Sequence, residues 1–345
     1  MELLKLIIFA ALRALPARAR GLDPSRQVVR ARGFPGPLPR ALRARGGSET
    51  TLQRGGPAWT EAQRAAFEAD GFVLQPDVLS EEECAALRAT YDGLFRGEFD
   101  TKIYPDEWHW REGISRPEAF REIVNAWKSS DAVARVALDE TIGRRCAELM
   151  GWGGARLAQD DVLYKPPGAE GVAHHRDAPY ISANFVPEER NSVTVWIALD
   201  DADEATGVVE YAPGSHAWAD AGAAGVAAAS FHDGRGQSPM RAAARAAGVD
   251  EAVEVRRCVV PAGSAVFHHQ DVWHGSGENG TPDRPRRALG LHYVRDDVRF
   301  RPKPDYIYGR YDLGDGVVHD AFFPRVWSAA GAARRAADRR LGDAR

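Results

Sequence analysis

His175-Arg176-Asp177 and, 97 residues beyond the aspartate, His274 are the residues whose types and spacing could assemble a metal centre. Successive side chains of an extended strand alternate, so His175 and Asp177 are expected on one side and Arg176 on the other. One imidazole and one carboxylate, joined by a second imidazole from a distant strand, make a two-His-one-carboxylate facial triad. That set covers one face of Fe(II) and leaves positions open for a chelating cosubstrate and O2. Zinc suits the set less well, because its structural sites are closed and its catalytic sites mostly use other ligands. An isolated HxD is weak evidence in a chain with ten histidines. A second one, His269-Gln270-Asp271, competes with the first, but only His292 and His319 remain to complete it. His174, next to His175, would face away from Asp177 on the same strand.

Such a triad needs a scaffold that brings distant strands together. Gly55-Gly56-Pro57 marks a boundary, after which Thr60-Glu61-Ala62-Gln63 and Ser80-Glu81-Glu82-Glu83 are capping boxes, each opening a helix. In the second helix Cys84, Leu87, Tyr91, Leu94 and Phe95 recur at helical spacing as one apolar stripe. A further helix is expected over Asp131 to Met150, with Leu138, Ile142, Cys146 and Leu149 inward. Beyond Gly151 the texture changes to short strand-like runs: Asp161 to Lys165, Ser192 to Leu199, Val208 to Tyr211, Val253 to Val260, Ala265 to His268 and Arg286 to Val294. Helices followed by many short strands predict a mainly β domain with flanking helices, an antiparallel sandwich or jelly roll. Trp218 to Asp250, rich in Ala and Gly, reads as a long insertion between strands.

Composition narrows the partners. The chain is 345 residues long with 44% apolar residues, enough for a substantial core. Residues 1–55 carry ten Arg and Lys5 against Glu2, Asp23 and Glu49, a local charge of +8. The chain total of −4 leaves −12 for the remainder, and so acidic a body would repel the phosphates that supply most nucleic-acid affinity. The segment 1–55 reads as a basic targeting or disordered region. Its apolar start is interrupted by Lys5 and Arg13, so no stable membrane span is expected. Ala17-Arg18-Ala19 has a small-x-small form, and the Arg-rich stretch after it is transit-like. Organelle targeting is the expectation, with the cytoplasm as the alternative. One domain over 56–330 and a tail over 331–345 complete the expected layout. Cys84, Cys146 and Cys258 lie far apart and suit neither a disulfide framework nor a zinc site.

Several runs occur in a recognisable order: Lys165-Pro166-Pro167, His175-x-Asp177, Gly207 with Pro213-Gly214-Ser215-His216, and His274-Gly275-Ser276-Gly277-x-Asn279-x-Thr281 with Arg286. Together with Gly71-Phe72-Val73 and Leu79-Ser80-Glu81-Glu82 they resemble the phytanoyl-CoA dioxygenase family of Fe(II)/2-oxoglutarate oxygenases, over about residues 60 to 300. The resemblance implies a double-stranded β-helix, a cupin-like jelly roll. It implies that Fe(II), 2-oxoglutarate and O2 are used, that His175, Asp177 and His274 bind iron, and that Arg286 pairs with the distal carboxylate of 2-oxoglutarate. A guanidinium presents a planar fork that suits this role. Strand alternation puts Arg286, Ala288, Gly290 and His292 on one face and Arg287, Leu289, Leu291 and Tyr293 on the other. The small residues beside Arg286 leave room for a cosubstrate. The spacing from His274 to Arg286 is one residue longer than the family pattern, so Arg287 and, after it, Arg284 remain rivals. Ser276 and Trp196 match positions lining the cosubstrate, although Trp196 could equally be a core residue. Lys165 either approaches 2-oxoglutarate or caps its strand.

The expected reaction is hydroxylation of a C–H bond in a small-molecule or acyl substrate, with release of succinate and CO2. Related halogenases have a small residue where Asp177 stands, so its carboxylate points to oxygen transfer. A catalytically silent jelly-roll binding protein is the alternative, and a zinc hydrolase lacks an obvious general base. Pro213-Gly214-Ser215-His216 reads as a turn beside a strand, not as a nucleophile elbow. Tyr104, Trp108, His109, Trp110, Arg111, Trp127 and Lys128 form an aromatic-basic group that either packs or contacts substrate. Asp343-Ala344-Arg345 is not a peroxisomal signal, which makes phytanoyl-CoA itself an unsafe choice.

Overall fold

The computed structural model describes residues 59–218, 236–249 and 253–335, all within one compact unit that spans Arg45–Arg345. The segment 1–55 and the far tail lie outside the described residues. Both capping boxes form. Thr60 and Ser80 accept from the backbone N–H three residues on and open α1 (Glu61–Asp70) and α2 (Glu81–Arg96). The predicted stripe of α2, from Cys84 to Phe95, is at most 2% exposed. The single helix expected over 131–150 is two, α3 (Asp131–Ala137) and α4 (Glu140–Met150). Asp139 is the reason: its carboxylate accepts from Thr141 N and Ile142 N and starts a new helix.

The β part is two facing layers. The larger sheet runs β1 (Phe72–Gln75), β10 (Ala265–His269), β7 (Ser192–Ala198), β12 (Arg286–Arg295), β4 (Gly154–Lys165), β3 (Arg121–Val124) and β2 (Glu107–Trp108), with β14 (Arg325–Ser328) also on β4. The smaller sheet runs β5 (Val172–His175), β11 (His274–Ser276), β8 (Val209–Tyr211) and β9 (Arg256–Arg257). A pair, β6 (Phe185–Val186) with β13 (Arg299–Phe300), stands apart. Among the described residues every strand pairing is antiparallel, as a jelly roll requires.

The outer face of the larger sheet (Val193, Val195, Ile197, Leu289, Leu291, Tyr293) packs under the helices in the main core. Tyr91 of α2 and Tyr293 of β12 stitch the layers, donating to Ala288 O at 2.7 Å and Ala137 O at 2.8 Å. The inner face carries the residues that face the smaller sheet, including Trp196, Ala198 and Ala288.

Two strand expectations need correction. Strand β4 starts at Gly154, well before Asp161, because its early polar residues are internally paired. Arg156, for example, donates to Asp296 O and Phe323 O. Of Val253 to Val260 only Arg256–Arg257 is strand, a short edge pairing with β8. The expected insertion contains α5 (Ser238–Ala246), whose Met240 packs with Trp273; residues 219–235 and 250 of it lie outside the described residues. Among the described residues no helix is long and apolar enough to cross a membrane.

Candidate metal and cosubstrate site

His175, Asp177 and His274 converge. Each offers one ligand atom, and these atoms lie within 4.8 Å of one another; among the described residues no other cluster of three does so. His175 ends β5 and His274 opens β11, directly opposite it in register. Asp177 is not on the strand. It sits in the turn after β5, where its carbonyl accepts from Tyr180 N and Ile181 N at 2.9 Å. The turn, and not strand alternation, brings the carboxylate back beside His175. Arg176 does point away, 3.6 Å from Asp271.

Both imidazoles are oriented by the backbone. Nδ1 of His175 donates to Ala173 O at 2.8 Å, and Nδ1 of His274 to Val272 O at 3.1 Å. That fixes the tautomer and leaves each Nε2 lone pair aimed into the site. From Asp177, Oδ1 lies 3.5 Å from His274 Nε2 and 3.8 Å from His175 Nε2. Burial and the neighbouring His274 push His175 down to about 3, so it stays neutral. Burial alone would raise the Asp177 carboxyl, but His274, His268 and His292 around it hold it well below the usual range. Two imidazoles and one carboxylate are the donor set that Fe(II) takes.

A second buried group lies on the inner face of the larger sheet. Arg286 is 2% exposed, opposite Lys165 in register, with its guanidinium 5.3 Å from the Trp196 ring centroid. It donates from Nη1 to Gly207 O, and its Nε has no partner among the described residues. Burial pushes it down to about 10. Its rivals are differently placed. Arg287 forks onto Asp200, with Nε to Oδ2 and Nη2 to Oδ1 both at 2.8 Å, and Arg284 forks onto Asp203 at the surface. Lys165 is fully buried, donating to Ser276 Oγ at 2.8 Å and to Gly277 O. Burial and the charge of Arg286 hold its ammonium well below the ordinary lysine range. A buried guanidinium with an unspent donor, beside a buried lysine, suits an anionic cosubstrate.

The competing HxD does not enter the site. His269 Nδ1 accepts from Asp271 N at 3.2 Å, and its ring lies near Phe67 of α1. His174 is buried on the other side of β5, 3.8 Å from Glu210, with neither ring nitrogen hydrogen-bonded among the described residues. Ser215 of the Pro-Gly-Ser-His run accepts from Trp273 N at 2.8 Å, a structural turn contact. In the aromatic-basic group Trp110 and Trp127 are core, Arg111 covers Trp108, and Tyr104 is 73% exposed. Lys128 binds Asp106 and the Tyr311 hydroxyl.

Residues 67–288 match the phytanoyl-CoA dioxygenase (PhyH) family, over more than half of the chain. The chain belongs to that family. As a phytanoyl-CoA dioxygenase family member it is an Fe(II)- and 2-oxoglutarate-dependent oxygenase that consumes O2. It is 27% identical over 259 residues to an ectoine dioxygenase of Streptomyces avermitilis, covering 69% of this chain and 83% of that one. Among solved structures, the epimerase SnoN of nogalamycin biosynthesis, in complex with Fe3+, alpha ketoglutarate and nogalamycin RO, aligns with a TM-score of 0.59. The identity is 23%, and the match covers 77% of this chain and 98% of SnoN. EctD from S. alaskensis, with 2-oxoglutarate and 5-hydroxyectoine, gives a TM-score of 0.57 at 20% identity, covering 78% of this chain and 89% of EctD. At these identities the two structures establish the jelly-roll fold for this phytanoyl-CoA dioxygenase family chain.

The sequence reading named Tyr211 and His268 only as strand ends, gave Thr194 no role, and weighed His292 only for the competing HxD and as a marker of one strand face. All four surround the outer oxygen of Asp177 or its partners. Thr194 lies 2.5 Å and His268 Nε2 3.0 Å from Oδ2, and His292 Nδ1 lies 3.7 Å away. Polar residues on the inward face of otherwise apolar strands were the available signal.

Proposed function

We infer that this chain hydroxylates a C–H bond of a small polar molecule, with His175, Asp177 and His274 as iron ligands and Arg286 as the anchor of 2-oxoglutarate. The observation that carries the reading is the contrast between three neighbouring arginines. Arg287 and Arg284 spend their forks on Asp200 and Asp203, whereas Arg286 is buried with donors unspent. A buried guanidinium needs a charge partner, and the distal carboxylate of 2-oxoglutarate supplies one.

Bound iron with 2-oxoglutarate and O2 supplies the oxidation that turns a substrate C–H into C–OH as the cosubstrate becomes succinate and CO2. The chain's part is to hold and to exclude. His175 and His274 present Nε2 because their Nδ1 protons are committed to backbone carbonyls. Ala288 and Gly290 leave space on the face they share with Arg286, and a Cβ added at Gly290 would meet nothing nearer than 3.6 Å. Lys165 and Ser276 add donors beside the fork, and Trp196 walls it from water.

The inner face next to the triad favours a polar substrate over an acyl chain. Gln159, Asp161 and His292 share it, and Glu122 stands one strand further on β3. A polar substrate can hydrogen-bond to such a face, and an acyl chain cannot. Succinate release from 2-oxoglutarate, screened over polar metabolites and acyl-CoA thioesters, tests the reading. Iron-dependent release with a polar metabolite is expected; release with acyl-CoA alone overturns the substrate class, and release without iron overturns the site.

A further inference from the structure

We propose that Thr194 and His268 are positioning residues that take up Oδ2 of Asp177, so that only Oδ1 is offered to the metal. The inference rests on the iron reading above and adds to it a device the motif does not contain.

Tyr211 OH lies 2.9 Å from His268 Nδ1, and His268 Nε2 lies 3.0 Å from Asp177 Oδ2. A carboxylate oxygen only accepts, so Nε2 carries the proton. The tyrosine hydroxyl faces the other ring nitrogen, and its single proton goes to Nδ1. The Tyr211 ring is stacked between Phe72, at 4.4 Å between centroids, and His274, at 5.8 Å. The donor chain Tyr211 to His268 to Asp177 is therefore held by packing.

A second chain reaches the same oxygen. Thr194 Oγ1 lies 2.5 Å from Oδ2 and 2.8 Å from His292 Nδ1. The hydroxyl has one proton, and the carboxylate takes it, so His292 Nδ1–H donates to the hydroxyl. His292 Nε2 faces Asp161 Oδ2 at 2.7 Å and donates to it, so this arrangement places a proton on each ring nitrogen. Gln159 Nε2 in turn donates to Asp161 Oδ1 at 2.9 Å. Both chains end on Oδ2. Oδ1 faces the two histidine Nε2 atoms.

The geometry has a mechanical meaning. Asp177 sits in the turn after β5 of the smaller sheet, whereas Thr194 (β7), His268 (β10) and His292 (β12) are adjacent strands of the larger one. The clamp joins the two layers at the ligand itself. Without it the carboxylate could rotate to offer both oxygens or swing away from the histidines. Outer contacts of this kind change metal affinity about 10–100-fold.

The test is Co(II) binding, followed by calorimetry and by the visible absorption of the bound ion, independent of turnover. Thr194→Val is close to isosteric and sits between Val193 and Val195, and Thr194→Ser restores the hydroxyl. Thr194→Val should lower Co(II) affinity about 10–100-fold and alter the absorption, with Thr194→Ser close to the original protein. In an Asp177→Gly background the same change should have no further effect, since its target is gone. An unchanged affinity and spectrum in Thr194→Val, or an equal loss in both backgrounds, overturns the positioning role. If Asp177→Gly itself binds Co(II) as tightly as the original chain, the iron reading fails instead. His268→Leu is the second arm, expected to repeat the loss and its dependence on Asp177; retained affinity there removes His268 from the clamp.

Discussion

Arg286 and Arg287 are adjacent in sequence and opposite in circumstance, and the contrast yields the sharpest prediction at the residue scale. Arg286→Ala should weaken 2-oxoglutarate binding by about 2–5 kcal/mol, roughly 30-fold or more, because a buried charge pair loses one partner. Arg287→Gln should leave it nearly unchanged, since that fork is spent on Asp200. Parallel titrations decide, and a larger effect at Arg287 would put the strand out of register. Asp160 gives a prediction of another kind. Burial pushes its carboxyl up to about 8 despite the N–H of Trp127 on Oδ2. Between about pH 4 and 8 the folded chain therefore keeps a proton that the unfolded chain has lost, so this group's contribution to stability falls as pH rises and levels off above about 8. Asp160→Asn keeps the acceptor and should flatten the loss of Tm between pH 5 and 8; identical slopes in the two proteins would refute it.

At the scale of elements, the site depends on turns that tolerate little. Gly207 has φ +71°, and a Cβ there would meet Glu278 O at 2.6 Å and Gly277 O as well. Its carbonyl is also the acceptor of Arg286 Nη1. Gly207→Ala should cost about 1–3 kcal/mol and weaken 2-oxoglutarate binding together, read as a lower Tm and a shifted titration. A Tm like that of the original protein would mean the loop yields without strain. How much of this could be read beforehand follows from the range of each interaction. Capping boxes and the Cys84-to-Phe95 stripe are local patterns, so they were legible. The break at Asp139 was obscured because apolar periodicity continues across it. Strands β1 and β3 are four residues each, too short to display a period. The face of β12 that carries Arg286 was legible from alternation alone. The Asp177 clamp was not, because it needs the register of β7, β10 and β12 against a turn.

At the scale of the whole molecule, two layers close over one inner face, and the helices lie against the other. We propose that the chemistry needs only residues 56–330. The described fold begins at Trp59, and the family match begins at residue 67. A chain starting at Gly55 should fold with the same Tm and bind 2-oxoglutarate equally well; loss of solubility or of binding would bring the basic segment into the domain. The central claim is that one cavity joins a His175–Asp177–His274 metal to a cosubstrate held by Arg286. Calorimetric titration of 2-oxoglutarate under anaerobic conditions tests it most directly, since no substrate need be known. Binding at one site per chain that requires Fe(II), and that is lost in His274→Ala while the fold persists, is the predicted result. Equal binding with and without the metal, or undiminished binding in His274→Ala, would contradict the account.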